Sequence, residues 1–87
     1  MTAAVNGRIL SRGNSDAMHW TWPQLLAHAS RDATLRPGDV LGSGTVGTGC
    51  ILELTPEAVG GWLAPGDVVE LTVERLGTLR NRVLAHP

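Results

Sequence analysis

The chain has 87 residues, a net charge of −1, and seven arginines with no lysine. That length bounds the reading to one domain, and the near-neutral charge removes the basic field that nucleic-acid binding requires. Phe and Tyr are absent, one cysteine leaves no internal disulfide framework, and no apolar run approaches the ~20 residues that span a bilayer. Neither a nucleic acid nor a membrane is expected as a partner, and without an apolar leader a cytoplasmic location is the default expectation.

Asn6-Gly7 suits a type I′ turn, which needs positive φ at both central positions, so residues 2–5 and 8–11 predict a hairpin. Its first strand is short. Either its pairing begins upstream of Met1, as in a chain truncated at the N-terminus, or it is a short edge strand. Residues 11–16 are polar and contain glycine, and they predict a loop. Thr21-Trp22-Pro23-Gln24 forms a capping box, with proline tolerated in the first turn, and predicts a helix ending near Ser30 or Arg31. Trp22, Leu25, Leu26 and Ala29 fall on one face of it.

Leu35-Arg36-Pro37-Gly38-Asp39-Val40 and Leu63-Ala64-Pro65-Gly66-Asp67-Val68 are two copies of one pattern. Pro-Gly fits the middle of a type II turn, and each copy is expected to launch a strand, over 39–43 and 68–73. Between them, the apolar run 50–54 predicts a strand carrying Cys50 as a buried structural thiol. Alternation places Ile51 and Glu53 on one face of it and Cys50, Leu52 and Leu54 on the other. Residues 55–61 connect, with room for one helical turn, and 74–77 turn the chain into a last strand over 78–84. The sum is five to seven short strands and one helix, a mainly β or α+β arrangement.

The chemistry-bearing candidates cluster in the glycine-rich stretch 41–54. Glu53 is a lone carboxylate among apolar neighbours, which suggests partial burial. It is either a strand residue paired with an arginine or an acid/base or histidine-orienting group. Successive backbone N–H groups around Gly44-Thr45 and Gly47-Thr48-Gly49 either form an anion-binding concavity or make a plain turn. No Gly-Lys-Ser/Thr follows, so this is not a P-loop. His19, His28 and His86 form no metal set, no Cys-x-x-Cys or His-x-x-x-His exists, and no self-contained metal site is expected.

Three segments together resemble the C-terminal part of fumarylacetoacetate hydrolase family enzymes: Met18 through Ser30, Leu35 through Thr45, and Gly49 through Leu54. The closing Leu63-Ala64-Pro65-Gly66-Asp67-Val68 with Leu76-Gly77-Thr78-Leu79-Arg80-Asn81 resembles that family's final β-hairpin. The resemblance implies part of a mixed β-roll, a distorted barrel or sandwich. It implies metal-assisted cleavage of a C–C bond in 1,3-diketo or acylpyruvate-type acids, usually by a homodimer. Mg²⁺ or Ca²⁺ would be held by acidic side chains of the full-length enzyme, and a histidine paired with a glutamate would activate water. Carried over by motif, Glu53 is that catalytic glutamate, and Thr45 with Gly44 contacts the keto-acid substrate.

The departures are informative too. The Glu-x-Glu spacing that supplies metal ligands is absent, and neither Glu70 nor Glu74 stands in a matching context. His19 replaces the family's usual tyrosine. Gly-Thr-Val replaces the Gly-Thr-Pro common in the acylpyruvate branch, which favours the fumarylacetoacetase-like branch. The expectation is a chain that carries one wall of an active site and has no turnover alone. Alternatives are a keto-acid isomerase, decarboxylase or lyase of the same family, a non-enzymatic module completing a separately encoded half, and a remnant without function.

Overall fold

The computed structural model describes residues 1–87. The chain divides into two compact units, residues 1–14 with 46–87, and residues 15–45.

The first unit is built on a four-stranded antiparallel sheet in the order β2-β1-β3-β4. The strands are β1 (Thr2–Val5), β2 (Arg8–Arg12), β3 (Val68–Val73) and β4 (Gly77–Arg82). Asn6 and Gly7 take φ of 51° and 80°, as the turn between β1 and β2 requires. β1 pairs along its whole length with β2 on one side and β3 on the other, so it lies inside the sheet and not at an edge. Arg75 and Gly77 take positive φ where β3 turns into β4. Glu70 then faces Arg80 at 2.9 Å, and Thr72 shares a 2.8 Å hydroxyl hydrogen bond with Thr78. The Arg80 side chain is 64% exposed, so this pair fixes register more than it adds stability.

A polar clasp joins the two ends of this unit. The Asn6 backbone N–H donates to the Val68 carbonyl at 2.8 Å, and the Val68 N–H donates back to the Asn6 side chain at 2.9 Å. The Asn6 amide also donates to the Asp67 carboxylate at 2.8 Å. The other Asp67 oxygen accepts from the Ala64 N–H at 2.8 Å. One turn residue thereby sets where β3 begins against β1, across 61 positions of sequence.

The two Pro-Gly-Asp copies form the same turn and meet different fates. In each, glycine takes positive φ (Gly38 95°, Gly66 101°) and the aspartate side chain accepts a backbone N–H three residues back, from Arg36 or Ala64. Only the second copy launches a strand. Val68 is held by Asn6 and enters the sheet, whereas Val40 is 92% exposed and 39–43 is not a strand. The turn is local chemistry, while the strand requires a partner.

The run 50–54 is also not a strand. Ile51–Leu54 forms one helical turn, α2, followed by a second, α3 (Pro56–Val59). The helix of the second unit, α1 (Trp22–Ala29), precedes both in the chain. Its capping box is present: Thr21 and Gln24 satisfy each other's backbone N–H groups, and Ser30 closes the helix. Four strands and short helices make an α+β fold. The strand count falls below the expected five to seven because 39–43 is unpaired and 50–54 is helical.

No apolar side chain is buried, and Ser11 alone, at 8% exposure, is below the surface. The sheet residues Ala3, Val5 and Leu10 and the α2 residues Ile51 and Leu54 line a cavity of about 120 Å³, where an apolar core would sit. Main-chain pairing and the clasp therefore carry an unusual share of the structure.

The Asp67 carboxyl is held below its ordinary 3.8, first by the Ala64 N–H and then by the Asn6 amide. A lowered folded-state value means that this stabilisation is complete above the unfolded-state pKa and is lost as pH falls through the folded one. The Asp67→Asn variant should have a lower melting temperature than wild type at pH 7. The difference should shrink steadily below about pH 4, measured by thermal denaturation across pH.

Candidate functional site

The turn that precedes α2 brings three polar side chains together. Val46 to Gly49 closes on itself, with the Gly49 N–H donating to the Val46 carbonyl at 3.0 Å. Within it Thr48 takes φ of 68°. For a β-branched residue this conformation costs about 1–3 kcal/mol. Two contacts hold it there. The Thr48 N–H donates to Glu53 Oε2 at 2.6 Å, and its hydroxyl lies 3.0 Å from Ser11 Oγ on β2. A hydrogen bond to a charged group contributes roughly 1.5–3 kcal/mol when shielded and less at an exposed site such as this, which is still of the order of the strain.

Glu53 occupies the third position of α2, where a carboxylate can reach back to the backbone preceding the helix. It is exposed, not partly buried as its apolar neighbours suggested. The reason is the change of period. In a helical turn Ile51 and Leu54, three apart, share the half-buried side, while Leu52 and Glu53 face outward. Cys50 shifts with them: it is the N-cap residue of α2 and is exposed, not a buried strand thiol.

Of the three N–H groups that an anion concavity at 47–49 would use, those of Thr48 and Gly49 already have internal acceptors. Gly44 and Thr45 lie in the unit 15–45, in a segment without regular structure. Gly44 takes φ of 91° with open space where a Cβ would stand. Its requirement is conformational and not steric. Thr45 is exposed beside it.

No three of the His, Cys, Asp and Glu side chains converge as a set able to hold a metal ion. No helix is long and apolar enough to cross a membrane. Ser11 is the site residue that carries no signal in the sequence. It is a serine in an alternating strand, and only its meeting with Thr48, 37 positions away, distinguishes it.

The family model for the fumarylacetoacetate hydrolase C-terminal region matches residues 1–84. The chain belongs to the fumarylacetoacetate hydrolase family. It is 40% identical over 82 residues to a 2,4-didehydro-3-deoxy-L-rhamnonate hydrolase of Sphingomonas sp. (strain SKA58), covering 91% of this chain and 27% of that protein. It is 33% identical to the oxaloacetate tautomerase YisK of Bacillus subtilis (strain 168), covering 91% of this chain and 25% of the relative. The mitochondrial oxaloacetate tautomerase FAHD2A of Homo sapiens is 32% identical, with 92% and 24% covered. The chain thus spans about a quarter of the length of these curated relatives. No solved structure matches it. Within the family, hydrolase and tautomerase names occur side by side.

Cys50 gives a direct test of the helical assignment of 50–54. In the native chain its thiol should react stoichiometrically with Ellman's reagent, without denaturant and close to the rate of a free thiol. Reaction only after denaturation would restore the buried-strand reading.

Proposed function

We propose that the chain forms part of the active site of an enzyme acting on 2-oxo acids with a second carbonyl group two carbons away. The observation that carries this is the 40% identity, over nearly the whole chain, to a hydrolase of 2,4-didehydro-3-deoxy-L-rhamnonate. That name describes an acid with carbonyls at carbons 2 and 4 and a deoxygenated carbon between them. Such a carbon is acidic, and a C–C bond beside it can break because the electron pair is received as an enolate.

The hydrolytic reaction runs as follows. Water adds to the distal carbonyl, the bond from that carbon to the central carbon breaks, and the pair passes to the 2-oxo acid as its enolate. Protonation of the central carbon completes a 2-oxo acid and a carboxylic acid. In this scheme Glu53 orients the histidine that activates water, and that histidine and the divalent cation, Mg²⁺ or Ca²⁺, come from polypeptide beyond these 87 residues. Gly44 and Thr45 donate to the substrate's oxygens, and the full-length enzyme acts as a homodimer.

A second reading is favoured by the tautomerase relatives. Oxaloacetate is also a 2-oxo acid whose central carbon is flanked by a second carbonyl group. Moving a proton between that carbon and the 2-oxo oxygen needs the same enolate and stops short of C–C cleavage. The two readings differ in whether an activated water is delivered.

Replacing the matching segment of the Sphingomonas hydrolase with this chain separates them. The chimera should hydrolyse 2,4-didehydro-3-deoxy-L-rhamnonate with added Mg²⁺, while the 87-residue chain alone gives no turnover. Thr45→Ala in the chimera should lower kcat/KM by about 10- to 100-fold, the loss of one or two transition-state hydrogen bonds. A folded chimera that interconverts oxaloacetate tautomers but cleaves no C–C bond would establish the second reading. One inactive toward both would refute the substrate class.

A further inference from the structure

We propose that Ser11 and Thr48 are positioning residues that hold the Glu53 carboxylate in one orientation, an inference that rests on Glu53 having the catalytic role assigned above. Three observations meet at this point. Thr48 adopts φ of 68° between two glycines, Gly47 and Gly49, in a turn where glycine would fit without strain. A β-branched residue kept in the left-handed region points to a use for its side chain. The side chain has one: its hydroxyl meets Ser11 Oγ at 3.0 Å, and Ser11 is the one buried residue of the chain. The backbone of the same residue has a second use, since its N–H donates to Glu53 Oε2 at 2.6 Å.

The consequence is mechanical. Glu53 sits on a single helical turn that no buried apolar contact anchors. Its carboxylate takes its direction from the Thr48 N–H, and the direction of that N–H depends on the turn. The Ser11–Thr48 bridge ties the turn to β2, which belongs to the hydrogen-bonded sheet. Ser11 thus acts on Glu53 through Thr48 and touches no substrate. One Glu53 oxygen is occupied by the turn, and the other is left to receive an imidazole N–H.

Amide NMR on the full 87-residue chain tests the linkage without any assay of activity. The Thr48 amide resonance should lie downfield and move with pH as Glu53 titrates, and Glu53→Gln should abolish that movement. Ser11→Ala and Thr48→Gly should each weaken the pH-linked shift at position 48, and Thr48→Ser, which keeps the hydroxyl, should preserve most of it. Thr48→Gly relieves the backbone strain, so it remains informative if Ser11→Ala fails to fold. A position-48 amide that follows Glu53 equally well in both variants would overturn the proposal, as would a wild-type Thr48 amide that does not titrate.

In the chimeric hydrolase, Glu53→Gln should abolish turnover. Ser11→Ala and Thr48→Gly should lower kcat about tenfold through misorientation, displace the acid limb of the kcat–pH profile and leave KM nearly unchanged. If Glu53→Gln leaves turnover intact, the catalytic reading of Glu53 fails and this inference falls with it. If Glu53→Gln abolishes turnover while the other two variants keep wild-type kcat and pH profile, the positioning proposal alone fails.

Discussion

Two polar clasps connect segments that lie far apart in the sequence, and they do so in a chain that buries no apolar side chain. Asn6 binds Asp67 and Val68, and Ser11 binds Thr48. Removal of apolar surface from water is ordinarily the dominant favourable contribution to folding. Where it is weak, directional hydrogen bonds decide which strands pair and in what register. The clasp at Asn6 places β3 beside β1, and β4 follows by a tight turn. The clasp at Ser11 fixes the turn on which Glu53 depends. The cavity between sheet and α2 and exposed apolar residues such as Leu52, Trp62 and Leu76 show how little apolar surface this chain buries.

The legible parts of the fold were those with self-sufficient local chemistry. Asn6-Gly7, the Thr21–Gln24 capping box and both Pro-Gly-Asp turns specify their own backbone conformation, and each is present. The structure departs from the sequence expectations where local sequence is ambiguous. A five-residue, largely apolar run bounded by glycine and Thr-Pro fits a buried strand and a helical turn equally well by periodicity. Leu-Glu-Leu favours helix on propensity, and the helix is what forms. That one change moves Cys50 and Glu53 to the surface. The strand expected after Asp39 failed for another reason, because nothing local reveals whether a pairing strand exists.

The candidate site follows the same division. Glu53, Thr45 and Gly44 were legible as residue types in an unusual glycine-rich setting, and the roles proposed for them rest on resemblance to the family. The Glu53–Thr48 contact spans five positions and lies within reach of sequence reasoning. The Ser11–Thr48 contact spans 37 positions and is visible only in three dimensions. Family membership rests on the match over residues 1–84, while the geometry shows which backbone N–H the Glu53 carboxylate accepts.

Native-state amide hydrogen exchange on the 87-residue chain tests most directly whether polar clasps, and not a packed interior, hold this unit together. Protection should be confined to the sheet, with the Asn6 and Val68 amides that close the clasp among the slowest, and amides of residues 50–63 should exchange with little protection. Uniform strong protection across 50–63, matching that of the sheet, would reveal a cooperative packed core and contradict the account.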